Sequence, residues 1–156
     1  MVKEKQQEVI IGRKDVITIR LWHYKLLPFL PNKMLVSEWR ECIAIKRQWK
    51  KGTLKHRLVS YVMSYDKSYF KEYVSRVCDE MLHRNINFNL DLYDEIRIWA
   101  IGNNFNFIHD DNLIYSEHNN RYLKQCLYNL QEKVDRGIIT QEEWQLIYDN
   151  FKEYLD

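Results

Sequence analysis

The chain has 156 residues, 46% of them hydrophobic and 14% aromatic, which fits one packed domain and excludes a disordered tail. Four glycines and two prolines are too few for a turn-rich all-β chain. The formal charge of +2 conceals an asymmetry: Thr18–Arg57 carries ten Lys/Arg against two acids, a balance of +8, whereas Leu58 onward carries ten against seventeen, a balance of −7.

In chain order, residues 1–17 read as an N-terminal extension, and 18–156 as a single helical domain. Within the extension, "EVIIGRKDVITIRL" holds two β-rich runs around a glycine-containing turn and predicts a short hairpin. "HYKLLPFLPNK" is expected to stay extended, because the residue before each of Pro28 and Pro31 avoids the helical region. A helix follows from about Met34 to Trp49 and stops before Gly52, with a shorter apolar helix around His56–Met63. Asp66 caps the next helix, whose core stripe is Phe70, Tyr73, Val74, Val77, Met81 and Leu82. A short helix and an Asn-rich loop occupy the stretch from Phe88 to Asn112. Helical periodicity resumes through Tyr122, Leu123, Cys126, Leu127, Leu130 and Val134 and stops at Gly137. Thr140 and Glu143 form a capping box for a last helix carrying Trp144, Ile147, Tyr148, Phe151 and Leu155. The expected fold class is mainly α, a compact single-domain helical fold.

Three scattered cysteines, Cys42, Cys78 and Cys126, imply reduced thiols in place of a disulfide framework or zinc site. No apolar run approaches membrane-spanning length and "MVKEKQQEV" has no apolar signal core, so a cytoplasmic protein without a membrane partner is expected. Gly-rich phosphate loops, nucleophile elbows and paired-His metal motifs are absent from the sequence. His109, Asp110, Asp111, Glu117 and His118 have metal-ligand residue types but no fixed element to aim them, so neither metal nor cofactor is expected.

The chemistry therefore falls to the basic third. On the first long helix, Met34, Leu35, Trp39, Cys42, Ile43, Ile45 and Trp49 fill an apolar arc, and Ser37, Arg40, Glu41, Ala44, Arg47 and Gln48 fill the opposite stripe. That stripe is either a solvated face with helical charge pairing or a site. Around it stand Arg20, His23, Lys25, Lys46, Lys55, His56 and Arg57, a set suited to meeting phosphates. Trp39 and Trp49 read as core, while Trp22 and Tyr24 are freer to stack on bases. Surrounding cations are expected to keep Glu41 ionised as a proton acceptor.

"IRLWHYKLLPFLP", then "WRECIAIK", and later "EHNNRYLKQCLYNLQEK" resemble the pyrimidine-dimer DNA glycosylase family, of the phage endonuclease V type, over Ile19 to about Arg136. The resemblance implies a compact, mainly helical fold and an active-site Arg-Glu pair matching Arg40 and Glu41. By it, Glu41 is the catalytic acid/base and Arg40 holds the substrate backbone. The chain's α-amino group attacks the anomeric carbon of a damaged nucleotide, forms a Schiff base, and β-elimination cuts the strand. His23, His56 and His118, in or beside the matched blocks, become secondary pocket candidates, with structural histidines as the rival reading. The chain departs from that pattern at its start: the relatives begin almost at Ile19 or Arg20, and here at least seventeen residues precede that point. Two functions stay open, acting on damaged duplex DNA as a glycosylase and lyase, or binding a phosphate-bearing nucleotide or nucleic acid without cutting it, as in a phage counter-defence protein. The partner is accordingly DNA or a nucleotide.

Overall fold

The computed structural model describes residues 9–11, 15–17, 20–103 and 109–156. β1 (Val9–Ile11) and β2 (Asp15–Ile17) pair antiparallel, with Val9 opposite Ile17 and Ile11 opposite Asp15, as the two β-rich runs predict. The glycine of their turn, the first eight residues and the core of the Asn-rich loop lie outside the described residues. The remainder is mainly α: α1 (Asn32–Lys51), α2 (Lys67–His83), α3 (Leu90–Ile101), α4 (Asn120–Asp135) and α5 (Gln141–Phe151).

Helix boundaries follow the punctuation of the sequence. Gly52, at φ 75°, accepts the left-handed conformation that closes α1, and its N–H returns to the carbonyls of Gln48 and Trp49. The Asp66 side chain accepts from Ser68 N–H at 2.9 Å to open α2. Thr140 and Glu143 satisfy each other's backbone N–H groups at 3.0 and 2.8 Å ahead of α5, as the capping box requires.

α2 is the central element. Phe70, Tyr73, Val74, Val77, Cys78 and Met81 are buried against α1, α3 and the 3-10 turn of Tyr24–Phe29. Leu82 leaves the predicted stripe and is 58% exposed. It lies about 100° round the helix from Met81, outside the arc that Phe70 and Val74 define.

Two other expectations are corrected. Tyr24–Phe29, with Pro28 inside it, is a 3-10 turn and not an extended segment. The turn buries Leu26 and Leu27 almost completely, a gain of roughly 2 kcal/mol each that outweighs the local preference of the residue before proline. Around His56–Met63 the chain forms a 3-10 turn at Ser60–Ser64 in place of an apolar helix. Only Val59 and Val62 there need burying, and three residues per turn aligns that pair while Leu58 and Met63 stay exposed.

Past the end of α2, Arg84 fixes the chain that leads into α1. Its guanidinium pairs with Glu80 at 2.8 Å and donates to the carbonyls of Leu30 at 2.7 Å and Pro28 at 3.0 Å, and to Asn32 Oδ1 at 2.9 Å. These charge-assisted bonds hold the stretch before α1 against α2. Among the described residues, no helix is long and apolar enough to cross a membrane.

Candidate active site

The segment Arg20–His23 runs extended and joins no sheet, so its backbone groups need other partners. Two glutamates of α1 supply them. Arg20 N–H donates to Glu41 Oε1 at 3.1 Å, and Trp22 N–H donates to Glu38 Oε2 at 3.1 Å. Alternate N–H groups of an extended chain point the same way, and carboxyls at i and i+3 of a helix share a face, so the two spacings mesh. The carbonyls between are also taken: Leu21 accepts from Tyr122 Oη of α4 at 2.5 Å, and Trp22 accepts from Tyr73 Oη of α2 at 2.6 Å. The segment is thus clamped by α1, α2 and α4.

Glu38 and Glu41 form a buried carboxyl pair. Glu38 is fully buried and its Oε2 also accepts from Tyr73 Oη at 2.6 Å, while its Oε1 meets no protein donor; its carboxyl interacts with that of Glu41. Two such groups cannot both ionise cheaply. Burial, and then the charge of Glu41, push Glu38 well above the usual carboxylate range. Burial raises Glu41 to about 7, although the N–H and guanidinium of Arg20 and the ammonium of Lys133 act in the opposite direction. The expectation that cations keep Glu41 ionised is therefore corrected: desolvation at 7% exposure outweighs them. Glu41 is close to half-protonated at neutral pH.

On the helical wheel Glu41 stands at a seam. One side is the buried arc of Met34, Glu38, Cys42 and Ile45; the other is an exposed stripe of Lys33, Arg40, Arg47 and Lys51, about 80–120° away. Glu41 itself does not belong to the solvated stripe, because the Arg20–Trp22 segment covers it. Ser37 is exposed one turn before it. Lys25, Lys55 and Arg57 are exposed as well, whereas Lys46 is buried and pairs with Glu95 at 3.7 Å. His56 is half-buried, accepts from Leu58 N–H at 3.3 Å, and is lowered by burial and by the charge of Arg20, which places it beside that guanidinium.

His23 and His118 have a different surrounding. His118 Nδ1 accepts from Tyr24 N–H at 3.2 Å, so its Nε2 carries the proton and donates to Tyr61 Oη at 2.8 Å. Burial, and then His23, lower it to about 3. His23 Nδ1 accepts from Lys25 N–H at 3.2 Å, and burial lowers it to about 4. Both are neutral core groups, stacked with ring centroids 5.4 Å apart. Trp22, expected to be freer, is 6% exposed, and Tyr24 is half-buried. His109 contacts Glu72 at 2.7 Å and Asp79 at 2.5 Å on α2.

These ionisations give stability a maximum. The neutral His23 and His118 favour the fold above pH 6.5 and lose that contribution as pH falls, because the unfolded imidazoles take protons. Glu38 and Glu41 have raised values in the folded state, so their contribution is complete below about 4.5 and is lost as pH rises through about 7. Thermal midpoints are expected to peak between about pH 5 and 6. Glu38→Gln should flatten the alkaline limb and leave the acid limb in place. A midpoint that climbs steadily from pH 6 to 8 would contradict the pairing.

Sequence reasoning passed over two residues. Glu38 entered it only as one of the two acids counted in Thr18–Arg57, although its i, i+3 spacing from Glu41 was the available signal. Lys133 sat inside an amphipathic pattern that gives no sign of what it approaches. It is half-buried on α4, and its charge and that of Glu41 each shift the other.

No curated protein and no solved structure matches the chain. A family model does: residues 19–94 match the one described as pyrimidine dimer DNA glycosylase, a span that holds the clamped segment, Glu38, Arg40 and Glu41 and ends before α4. That match, over residues 19–94, supports assigning the chain to the pyrimidine dimer DNA glycosylase family.

Proposed function

We propose that the protein releases a damaged base from duplex DNA and cuts the strand, with Glu41 moving the protons and Arg40 holding the phosphate backbone. The observation that carries this reading is Glu41 itself: a buried carboxyl raised to about 7, at the seam between the core and an exposed cationic stripe. A group with that value accepts and returns protons near neutral pH. Arg40, exposed on the stripe beside it, is free of burial cost when it meets a phosphate. A base lesion is also easier to open out of the stack than an intact pair, which adds selectivity.

A second reading rests on a specific contact. The nitrogen that Glu41 accepts from is the Arg20 peptide N–H, whose lone pair is delocalised into its carbonyl and does not attack carbon. A site of this kind with no amine in reach binds a nucleotide or nucleic acid and leaves it whole. Incubation with UV-irradiated duplex separates the readings. Base release and strand scission on irradiated but not on untreated duplex are the expected result. Tight binding of free nucleotides with neither product would establish the binding reading instead.

A further inference from the structure

We propose that His109, as an imidazolium held between Glu72 and Asp79, is a proton-operated latch that fastens the His109–Ile114 segment to α2 and releases it as pH rises. The inference stands apart from the glycosylase reading. Glu72 and Asp79 are seven residues apart on α2, two turns along one face. The His109 ring bridges them, with Nδ1 2.7 Å from Glu72 Oε2 and Nε2 2.5 Å from Asp79 Oδ2. A neutral imidazole has one N–H and one lone pair, and an ionised carboxylate only accepts. A neutral ring would therefore donate to one carboxylate and turn its lone pair on the other. Both bonds form together only when both ring nitrogens carry hydrogen.

The other charges around the ring agree. From α2, Arg76 lies 3.1 Å from the same Glu72 oxygen and reaches on to Asp111 at 3.0 Å. From α3, Tyr93 and Arg97 lie near Asp79, with Arg97 paired to Asp94 at 3.4 Å. On the segment itself, the Asp110 carboxylate accepts from Asn112 N–H at 2.9 Å. Losing the imidazolium proton would leave Glu72, Asp79 and Asp111 around the one guanidinium of Arg76. Glu72 is 2% exposed, so water does not replace His109 while the segment is closed. The Arg76–Asp111 pair is a weaker tether, because its carboxylate is 89% exposed. Leu113 and Ile114 wall a small cavity that Tyr24, Tyr73, Tyr115 and His118 also line. Release of the latch opens that cavity beside Tyr24, the residue after the clamped segment.

Nitrogen-15 NMR of the full-length chain from about pH 5 to 9 tests this, together with hydrogen exchange at Leu113 N–H, which donates to the Asp110 carbonyl at 3.0 Å. At the acid end both His109 nitrogens should be protonated and Leu113 protected. The closed state holds one proton more than the open one, so protection should fall as pH rises. After correction for intrinsic exchange, the fall should approach about tenfold per pH unit. Asp79→Asn is the sharpest variant. Its amide can donate to a bare ring nitrogen while the other ring nitrogen donates to Glu72, so protection should become nearly level with pH. His109→Leu should lower protection at the acid end by at least ~10-fold and also remove the pH dependence. A singly protonated ring with Leu113 still fully protected would overturn the latch. So would level protection in the unmodified chain, or an undiminished fall in Asp79→Asn. The ring nitrogens of the unmodified chain give the answer even if a variant fails to fold.

Discussion

Glu41→Gln should lower base release and strand scission on damaged duplex by at least ~100-fold and leave duplex binding within a few-fold. Glutamine fills the same volume and can still accept from Arg20 N–H, now at 3.1 Å from Glu41 Oε1, so the clamped segment stays in place. What disappears is the proton acceptor. With the raised Glu41 needed in its ionised form, the rate for the unmodified chain should climb through about pH 7 and level off above it. Glu38 tunes this. A protonated Glu38 donates to Glu41 and favours its ionised form, so Glu38→Ala should move the rising limb to higher pH by removing that donor; it also leaves Trp22 N–H without its acceptor, whereas Tyr73 Oη keeps the Trp22 carbonyl. Unchanged scission by Glu41→Gln, measured by single-turnover kinetics, would remove Glu41 from the chemistry and with it the proposed mechanism.

Duplex affinity should fall steeply with salt. The exposed stripe of Lys33, Arg40, Arg47 and Lys51 extends over about 27 Å of α1, the length of roughly eight base-pair steps. Lys25, Lys55 and Arg57 are exposed nearby in sequence, whereas Lys46 is withdrawn by its pairing with Glu95. With about five phosphates neutralised, log affinity against log salt should have a slope near −4 to −5, which is a loss of about 250- to 1,000-fold between 50 and 200 mM. Reversing Arg47 and Lys51 together should make the slope shallower by about two units; reversing the exposed Lys124 and Lys152 should not. A slope near zero in a fluorescence-anisotropy titration would strike duplex DNA from the partners and leave a small ligand.

The sequence by itself determined what short-range physics controls. Asp66, the Thr140–Glu143 box and Gly52 act on backbone groups within a few residues, so their caps were legible and stand where expected. The stripes of α2 and α4 were legible too, because burial of one helix face imposes a repeat of 3.6 residues. The pairing of β1 and β2 needed only two adjacent runs and a turn between them. The blocks around Arg20 and Arg40–Glu41 carried the family resemblance, and they lie within the matched span.

The tertiary structure decided the state of the site. Glu41 is a raised carboxyl only because a segment 21 positions earlier covers it, and Glu38 joins it through Trp22, 16 positions earlier, and through Tyr73, 35 positions later. His118 became a neutral core group because Tyr24, 94 positions away, donates to it, and α4 reached the segment through a bond spanning 101 positions. Local periodicity carries no record of such encounters. On a helical wheel Glu41 falls with Arg40, in the solvated stripe; burial by a segment distant in sequence moves it into the core. Desolvation then sets its ionisation more strongly than the surrounding cations that the sequence made conspicuous.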